Sequence, residues 1–297
     1  MAQFLFASPN AEEVSSADFF DKIALVAHNC YQVPQKDHLS NIAFIHRLVS
    51  ASHLARIEHY RFILSLDKAK KAELLSLQDP YLTIVDSLTK PCIYVSLSLR
   101  PILEHRNHPL YQRLLSGIPE EIKKERNLPI AQPYCKIVLL SDIHDDVSSE
   151  DYDKLLFLTY HLITDRGVTH EIVRHRPCSF AQESTRYCNY TKGKFDSALT
   201  FIKPLKYEEE KEVYDSYYQC VTDTYFRLIG DGLRPDEARS VLPNSLKASI
   251  MVSCSREEWK HIFSLRLSEA AHPDIRFVRG LVKNDRVQKG YLPNEEK

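Results

Sequence analysis

The chain has 297 residues, 43% of them hydrophobic, enough to bury one large core or two smaller ones. Its 39 basic and 40 acidic side chains leave a formal net charge of -1, so no global field favours nucleic acid or an acidic membrane, and any anion site must be local. Seven cysteines (Cys30, Cys92, Cys135, Cys178, Cys188, Cys220 and Cys254) are scattered and never spaced as CxxC, which argues for reduced thiols in a cytoplasm and against zinc or a disulfide framework. No basic region followed by an apolar run stands near the first residue, and no stretch approaches about 18 consecutive apolar residues, which argues against secretion and membrane insertion. Only 7 glycines are present, and neither a Rossmann nor a P-loop glycine pattern occurs, so a bound nucleotide must be held mostly by side chains.

In chain order, Phe20, Ile23, Ala24 and Ala27 recur at helical spacing and predict an amphipathic helix over residues 17–30. Residues 41–50 read as a second helix. Residues 57–66, rich in Tyr60, Phe62, Ile63 and Leu64, read as a strand, as do residues 134–140 with Ile137, Val138 and Leu139. Residues 150–164 are strongly apolar and predict a buried helix that ends before Gly167. Over residues 208–229, Tyr214, Tyr217, Val221, Tyr225 and Leu228 share one helical face, with Gly230 and Gly232 as the stop. That face reads as core rather than as a platform for nucleic-acid bases.

Ser255, followed three residues later by Glu258, forms a capping box that starts a helix. From Trp259 the apolar residues recur at Ile262, Phe263, Leu267 and Ala270, and at about 100° per residue Arg266 falls in the middle of that stripe. Burying a guanidinium unpaired costs roughly several kcal/mol, so either a carboxylate of this protein or a ligand must meet it. Residues 283–297 are highly charged and read as an exposed tail on a single domain spanning 1–297.

Residues 174–187 concentrate the chemistry. Arg174, His175, Arg176 and Arg186 stand with Ser179, Ser184 and Thr185 in fourteen residues. Guanidinium groups fork onto phosphate oxygens, and hydroxyls add donors of adjustable direction. Composition alone leaves this reading level with a solvated basic loop.

The spacing Arg-His-Arg, seven residues, Ser184, with Arg186-Tyr187 following, resembles the signature of the flavin-dependent thymidylate synthases, the ThyX family. The family often has Asn-Glu where this chain has Ala181-Gln182. Ala238-Arg239-Ser240-Val241-Leu242-Pro243 resembles a family segment whose arginine contacts nucleotide phosphate, and Arg266 after Leu265 matches an arginine that contacts the uracil ring. His53 with Glu58-His59 resembles a segment near the flavin, and His272 a flavin-proximal histidine. Where the family often supplies Asn and Arg to FAD, this chain has Ser255, Arg256, Glu257 and His261.

The resemblance implies an α+β fold with a central, mainly antiparallel sheet flanked by helices. It implies a methyltransferase that converts dUMP to dTMP, with 5,10-methylenetetrahydrofolate as carbon donor and NADPH-reduced FAD as hydride source, working as a cytoplasmic homotetramer with shared active sites. Arg266 and Ser184 are the expected catalytic residues. Glu171, Arg174, Gln182, Glu183, Ser184, Thr185, Arg186, Arg239 and Arg266 are expected at dUMP, with backbone N–H groups of residues 182–185 assisting at the phosphate. His53, Arg174, His175, Arg176, Ser255, His261 and His272 are expected at FAD.

Other chemistries fit less well. His170-Glu171 and His175 approach the zinc-protease HExxH, but histidines five apart lie about 140° around a helix instead of about 40°, so they cannot share one zinc from one face. Cys178 and Cys188 flank the arginines as possible nucleophiles, yet the family uses no catalytic cysteine. Ser184 has no evident base beside it in sequence, which makes it a substrate-positioning residue. An RNA-binding reading with Tyr187 and Tyr190 as stacking partners is opposed by the neutral net charge. A catalytically idle nucleotide-binding relative that has lost FAD remains the alternative function.

Overall fold

Residues 3–16, 18–118, 134–195 and 197–289 are described by the computed structural model. The strands are β1 (Gln3–Ala7), β2 (Asn10–Glu13), β3 (Phe62–Asp67), β4 (Thr83–Asp86), β5 (Cys92–Leu97), β6 (Lys136–Ile137), β7 (Phe157–Asp165), β8 (Ser179–Gln182), β9 (Ala198–Ile202) and β10 (Lys247–Ser255). The helices are α1 (Phe19–Tyr31), α2 (His38–Ser50), α3 (Lys71–Leu75), α4 (Leu99–Glu104), α5 (Pro109–Leu114), α6 (Ser149–Leu155), α7 (Arg166–Ile172), α8 (Lys211–Gly230), α9 (Pro235–Ala238), α10 (Arg256–Arg266) and α11 (Pro273–Gln288).

The fold is α+β, and its sheets are mainly antiparallel, as expected. They divide into two four-stranded sheets, ordered β2-β7-β10-β8 and β4-β5-β3-β6, and a parallel pair of β1 with β9. Among the described residues, no helix is long and apolar enough to cross a membrane.

The predicted buried helix over 150–164 is the main correction. Ser148 accepts from Asp151 N at 3.1 Å and caps α6, which ends at Leu155, and the chain then becomes the nine-residue strand β7. β7 pairs with β2 on one side and β10 on the other, and most of it is buried, so the inside-outside alternation that marks a strand is lost. The predicted strand over 57–66 begins instead with a 3-10 turn at Leu54–His59 and becomes β3 only from Phe62. Residues 134–140 contribute the two-residue edge strand β6.

In α8 the inward face is turned slightly from the expected one. Tyr218, Val221, Thr222 and Tyr225 are buried, while Tyr217 is exposed, and Tyr218 stacks on Phe201 at 4.3 Å. The chain leaves this helix through Gly232 at φ +97°, a conformation that side chains rarely adopt.

β10 organises the molecule because its two faces meet different partners. Ile250, Val252 and Cys254 join Tyr160, Leu162, Trp259, Ile262, Val278 and Val282 in the core beneath α10 and α11. On the other face, Met251 packs with Val26, Cys30 and Ala181 beside α1. There the buried Asn29 of α1 donates to Ala181 O at 3.0 Å and Ser249 O at 3.1 Å, and its Oδ1 accepts from the Ser249 hydroxyl. One amide therefore ties α1 to both β8 and β10. Ser184 N donates to Cys30 O at 3.0 Å, so the end of α1 also sets the position of Ser184.

The expected tail over 283–297 begins inside α11, where Arg286 is fully buried, and Lys289 pairs with Glu13 at 2.8 Å. The remainder, 290–297, lies outside the described residues.

Candidate functional site

Two short-range signals deliver Arg266 to its place. Ser255 accepts from Glu258 N at 3.1 Å and starts α10, while Asp165 accepts from Val168 N at 2.8 Å and starts α7. α10 then carries Arg266 on its last turn and α7 carries Glu171. Arg266 Nη1 donates to Glu171 Oε2 at 3.2 Å, Nη2 to Glu171 O at 3.4 Å, and Nε to His175 Nε2 at 3.1 Å. The side chain is 24% exposed, so it stands at the margin of the core rather than within it. A carboxylate of this protein does meet the guanidinium. Its outer edge still faces solvent.

A guanidinium only donates, so His175 Nε2 must accept and the ring proton sits on Nδ1, 3.8 Å from Glu258 Oε1. Burial, reinforced by Arg279, Arg266 and His261, pushes His175 down to about 4, which keeps it neutral at neutral pH. Burial also raises the Glu258 carboxyl above its ordinary value.

The rest of the signature is divided between structural and exposed side chains. Gln182 Nε2 donates to Thr169 Oγ1 at 3.1 Å. Glu183 is 4% exposed, accepts from Tyr190 OH at 3.1 Å and pairs with Lys247 at 3.0 Å. It holds β8 and β10 together rather than facing a ligand, because a carboxylate so buried requires its own cation. Thr185 is also buried. The expected backbone donors at the phosphate are in part already engaged, since Glu183 N bonds Ser249 O at 2.7 Å and Ser184 N bonds Cys30 O. What remains outward is the Ser184 side chain, part-exposed with Oγ accepting from Arg186 N at 3.3 Å, and the exposed Arg174, Arg176, Arg186 and Arg239. Arg186 lies over Tyr187 at 5.3 Å, and Tyr187 packs on Tyr31 at 5.4 Å.

The residues expected at FAD fall at separate cavities of the single chain. Arg176 and Ser255 share one of about 480 Å³, with Cys178, Ser179, Arg61 and Lys154. His272, which caps α11, lies on another of about 410 Å³ with Glu171 and His170. His53 lines a third of about 300 Å³ with Arg56, Arg100 and Tyr187. His261 is exposed on α10, and His175 is buried with its Nε2 bonded to Arg266. Of the pair Glu58-His59, Glu58 binds Arg100, while His59 is fully buried, 2.6 Å from Ser253 Oγ, and pushed by burial to about 3.

Two arginines escaped sequence reasoning. Arg61 lies over the Phe157 ring at 4.8 Å, donates to Tyr81 O at 3.3 Å, and has a buried Nε with no hydrogen-bond partner among the described residues; burial lowers it to about 10. Arg279 is fully buried 5.1 Å over Trp259, its guanidinium nitrogens likewise unpartnered among the described residues, and burial lowers it to about 10. The available signal for Arg279 was its position on the stripe Ile275, Val278, Val282, where a helix facing solvent would not need an apolar neighbour on each side.

Residues 155–284 match the family model described as Thymidylate synthase complementing protein. Over that stretch the chain is similar to this family. It contains β7, β8 and β10 and the cluster of Glu171, His175 and Arg266. A flavin-dependent thymidylate synthase of Geobacter sulfurreducens is 34% identical over 128 residues, which is 43% of this chain and 54% of that protein. One of Pyrococcus furiosus is 34% identical over 116 residues, covering 38% and 47%, and one of Thermococcus onnurineus is 30% identical over 153 residues, covering 44% and 62%. The chain spans about half the length of the curated relatives it matches. A crystal structure of a UMP/dUMP methylase from Streptomyces cacaoi bound with 5-Br dUMP aligns over 96% of this chain and 93% of that one, with 15% identity and a TM-score of 0.41, a likeness too low to carry fold or activity.

Proposed function

We propose that the protein is a flavin-dependent thymidylate synthase, a methyltransferase that converts dUMP to dTMP using methylenetetrahydrofolate as carbon donor and FAD reduced by NADPH. The observation that carries this reading is Arg266 held by Glu171 and a neutral His175 inside the stretch that matches the family. For C5 of a uracil to act as a carbon nucleophile, negative charge must develop over N3, C4 and O4. Arg266 meets that charge with a cation already oriented by its partners. A preorganised charge of this kind is worth about 2.7–4 kcal/mol of transition-state stabilisation. The exposed Arg186 and Arg239 and the Ser184 hydroxyl are the groups assigned to the phosphate, whose binding energy would hold the ring in place.

No protein side chain supplies a hydride, so a cofactor is required. The cavity of about 480 Å³ is assigned to the dinucleotide: Arg176, Arg61 and Lys154 bring positive charge beside the carboxylates of Glu257 and Glu258, Ser179 and Ser255 bring hydroxyls, and the buried Arg61 Nε lacks a partner among the described residues. Arg176 and Ser255 would hold FAD there. When bound and reduced, the flavin supplies the hydride that completes the methyl group. His53 and His272, at other cavities of the chain, fit a homotetramer in which each site draws on more than one subunit. A cytoplasmic location agrees with seven cysteines of which none is in a disulfide.

The test is the visible spectrum of purified protein after incubation with FAD and removal of free flavin, followed by an assay of dTMP formation. About one FAD per chain and turnover that Arg266→Ala abolishes are expected. Folded protein that retains no flavin and makes no dTMP would overturn the reading in favour of an idle nucleotide binder.

A further inference from the structure

Two cysteines lie side by side at one end of the β8–β10 ladder. β10 and β8 are in register at Val252 with Phe180 and at Ser253 with Ser179, where β8 begins, and Cys254 and Cys178 are the next residue on each chain. The bond from Glu183 N to Ser249 O marks that pair as hydrogen-bonded. Hydrogen-bonded and non-hydrogen-bonded pairs alternate in an antiparallel ladder, so the position one step beyond Ser253 and Ser179 is where a non-hydrogen-bonded pair falls. Cα atoms in such pairs approach to about 4.5 Å, within the range of about 4.4–6.8 Å that a disulfide spans. The two thiols are within hydrogen-bonding reach of one another.

Their surroundings differ in a useful way. Cys254 is fully buried, whereas Cys178 is part-exposed and lines the cavity of about 480 Å³. Close to both sulfurs lies Arg279, fully buried and unpartnered among the described residues. A buried cation without an anion is costly, and a sulfur that carries negative charge is an anion within reach. Cys30, Cys135 and Cys188 are buried elsewhere, and Cys220 is exposed on α8, far along the chain from the pair.

We propose that Cys178 and Cys254 are a reversible oxidation site, in which Cys178 reacts with a hydroperoxide and Cys254 resolves the product to a disulfide. The Cys178 thiolate attacks the terminal peroxide oxygen, the O–O bond breaks, and the leaving alkoxide (hydroxide, from hydrogen peroxide) takes up the proton that the Cys178 thiol gave up, so that sulfenic acid and an alcohol (or water) are formed. The Cys254 sulfur then attacks the Cys178 sulfur; the S–S bond forms, the S–O bond breaks, and the hydroxyl leaves with the Cys254 proton as water. Two electrons pass from the two thiols to the peroxide. Arg279 stabilises the charge on sulfur in both steps. The cross-link joins the start of β8 to the residue before Ser255, the cap of the helix that carries Arg266. The proposal does not depend on the activity proposed above, because its readout is chemical.

The experiment treats the full chain with hydrogen peroxide, alkylates remaining thiols, digests without reductant and maps the peptides by mass spectrometry. A linked Cys178–Cys254 peptide pair, lighter by two hydrogens and restored by dithiothreitol, is the expected result. Cys220→Ser should cross-link as the wild type does. Cys254→Ser should stop at a Cys178 sulfenic acid that dimedone traps. Cys178 and Cys254 both fully alkylated after peroxide has oxidised Cys220 would overturn the proposal. So would peroxide-dependent loss of the Cys254 thiol in Cys178→Ser.

Discussion

His175 accepts a hydrogen bond from Arg266 across 3.1 Å, and this single bond fixes the protonation of one residue and the direction of the other. An imidazolium has no lone pair to offer, so the contact exists only while His175 is neutral. Burial and the neighbouring guanidinium groups enforce that state. Arg266 is thereby aimed by a neutral acceptor on one side and by the Glu171 carboxylate on the other.

The first prediction concerns acid. The folded pKa of His175, about 4, lies below its ordinary value of 6.5, so unfolding takes up a proton between those values. The stability that this contributes is fully present above about pH 6.5 and is lost as pH falls through about 4. His59, pushed to about 3, adds in the same direction. Melting temperature should fall as the buffer is taken from about pH 7 to about pH 4, and His175→Gln, which keeps an acceptor but cannot take the proton, should fall less steeply. A melting temperature that is flat or rising on acidification contradicts the assignment of His175 as buried and neutral.

The second concerns the guanidinium fork. Arg266→Lys keeps a charge but loses the geometry that lets one side chain bind both Glu171 and His175. Turnover to dTMP should drop by about 100-fold or more with the circular dichroism spectrum unchanged. Glu171→Gln retains an acceptor and removes the charge, so a smaller loss of roughly tenfold is expected. Equal turnover in Arg266→Lys and wild type would remove Arg266 from the reaction.

Helix starts were legible in the sequence because they are local. The bond from Glu258 N to Ser255 lies within four residues and needs nothing from the rest of the chain. β7 was not, since a strand buried on both faces loses the period that distinguishes it from a buried helix; only its content of Phe157, Thr159, Tyr160, Ile163 and Thr164 hinted at extended backbone. The pairing of Arg266 with a carboxylate was open from spacing, and the identity of its partners was not, because His175 and Glu171 lie more than ninety residues away. Glu183 shows the opposite failure. Its place in the signature suggested a ligand contact, whereas Lys247, across the sheet, uses it for structure.

The third prediction tests the join between α1 and the sheet. Asn29→Leu removes four hydrogen bonds from a side chain that is 7% exposed, those donated to Ala181 O and Ser249 O and those accepted from the Ser249 hydroxyl and the Gln32 amide. Stranding buried polar groups costs about 1–3 kcal/mol each, so a loss of about 2–3 kcal/mol in chemical denaturation is expected. Because Ser184 hangs from the same end of α1, dUMP affinity should weaken along with stability. A variant as stable as the wild type would show that the amide is not what holds this join.

The last prediction has the opposite sign. Arg286 is fully buried on α11, 5.8 Å from the Phe263 ring, with all three guanidinium nitrogens unpartnered among the described residues, and burial lowers its pKa. Desolvating that charge is a cost which no ion pair in the described structure offsets. A flexible apolar chain of similar reach recovers the packing without the charge. Arg286→Met should therefore raise stability by about 1–3 kcal/mol, seen as a higher midpoint in urea with an unchanged slope. Arg286→Ala is the control, since it removes the charge but leaves a cavity beside Phe263 and should gain less or lose. If Arg286→Met instead destabilises the protein by more than about 1 kcal/mol, the guanidinium has an anionic partner in solution, and a binding site would have to be sought at this face of α11.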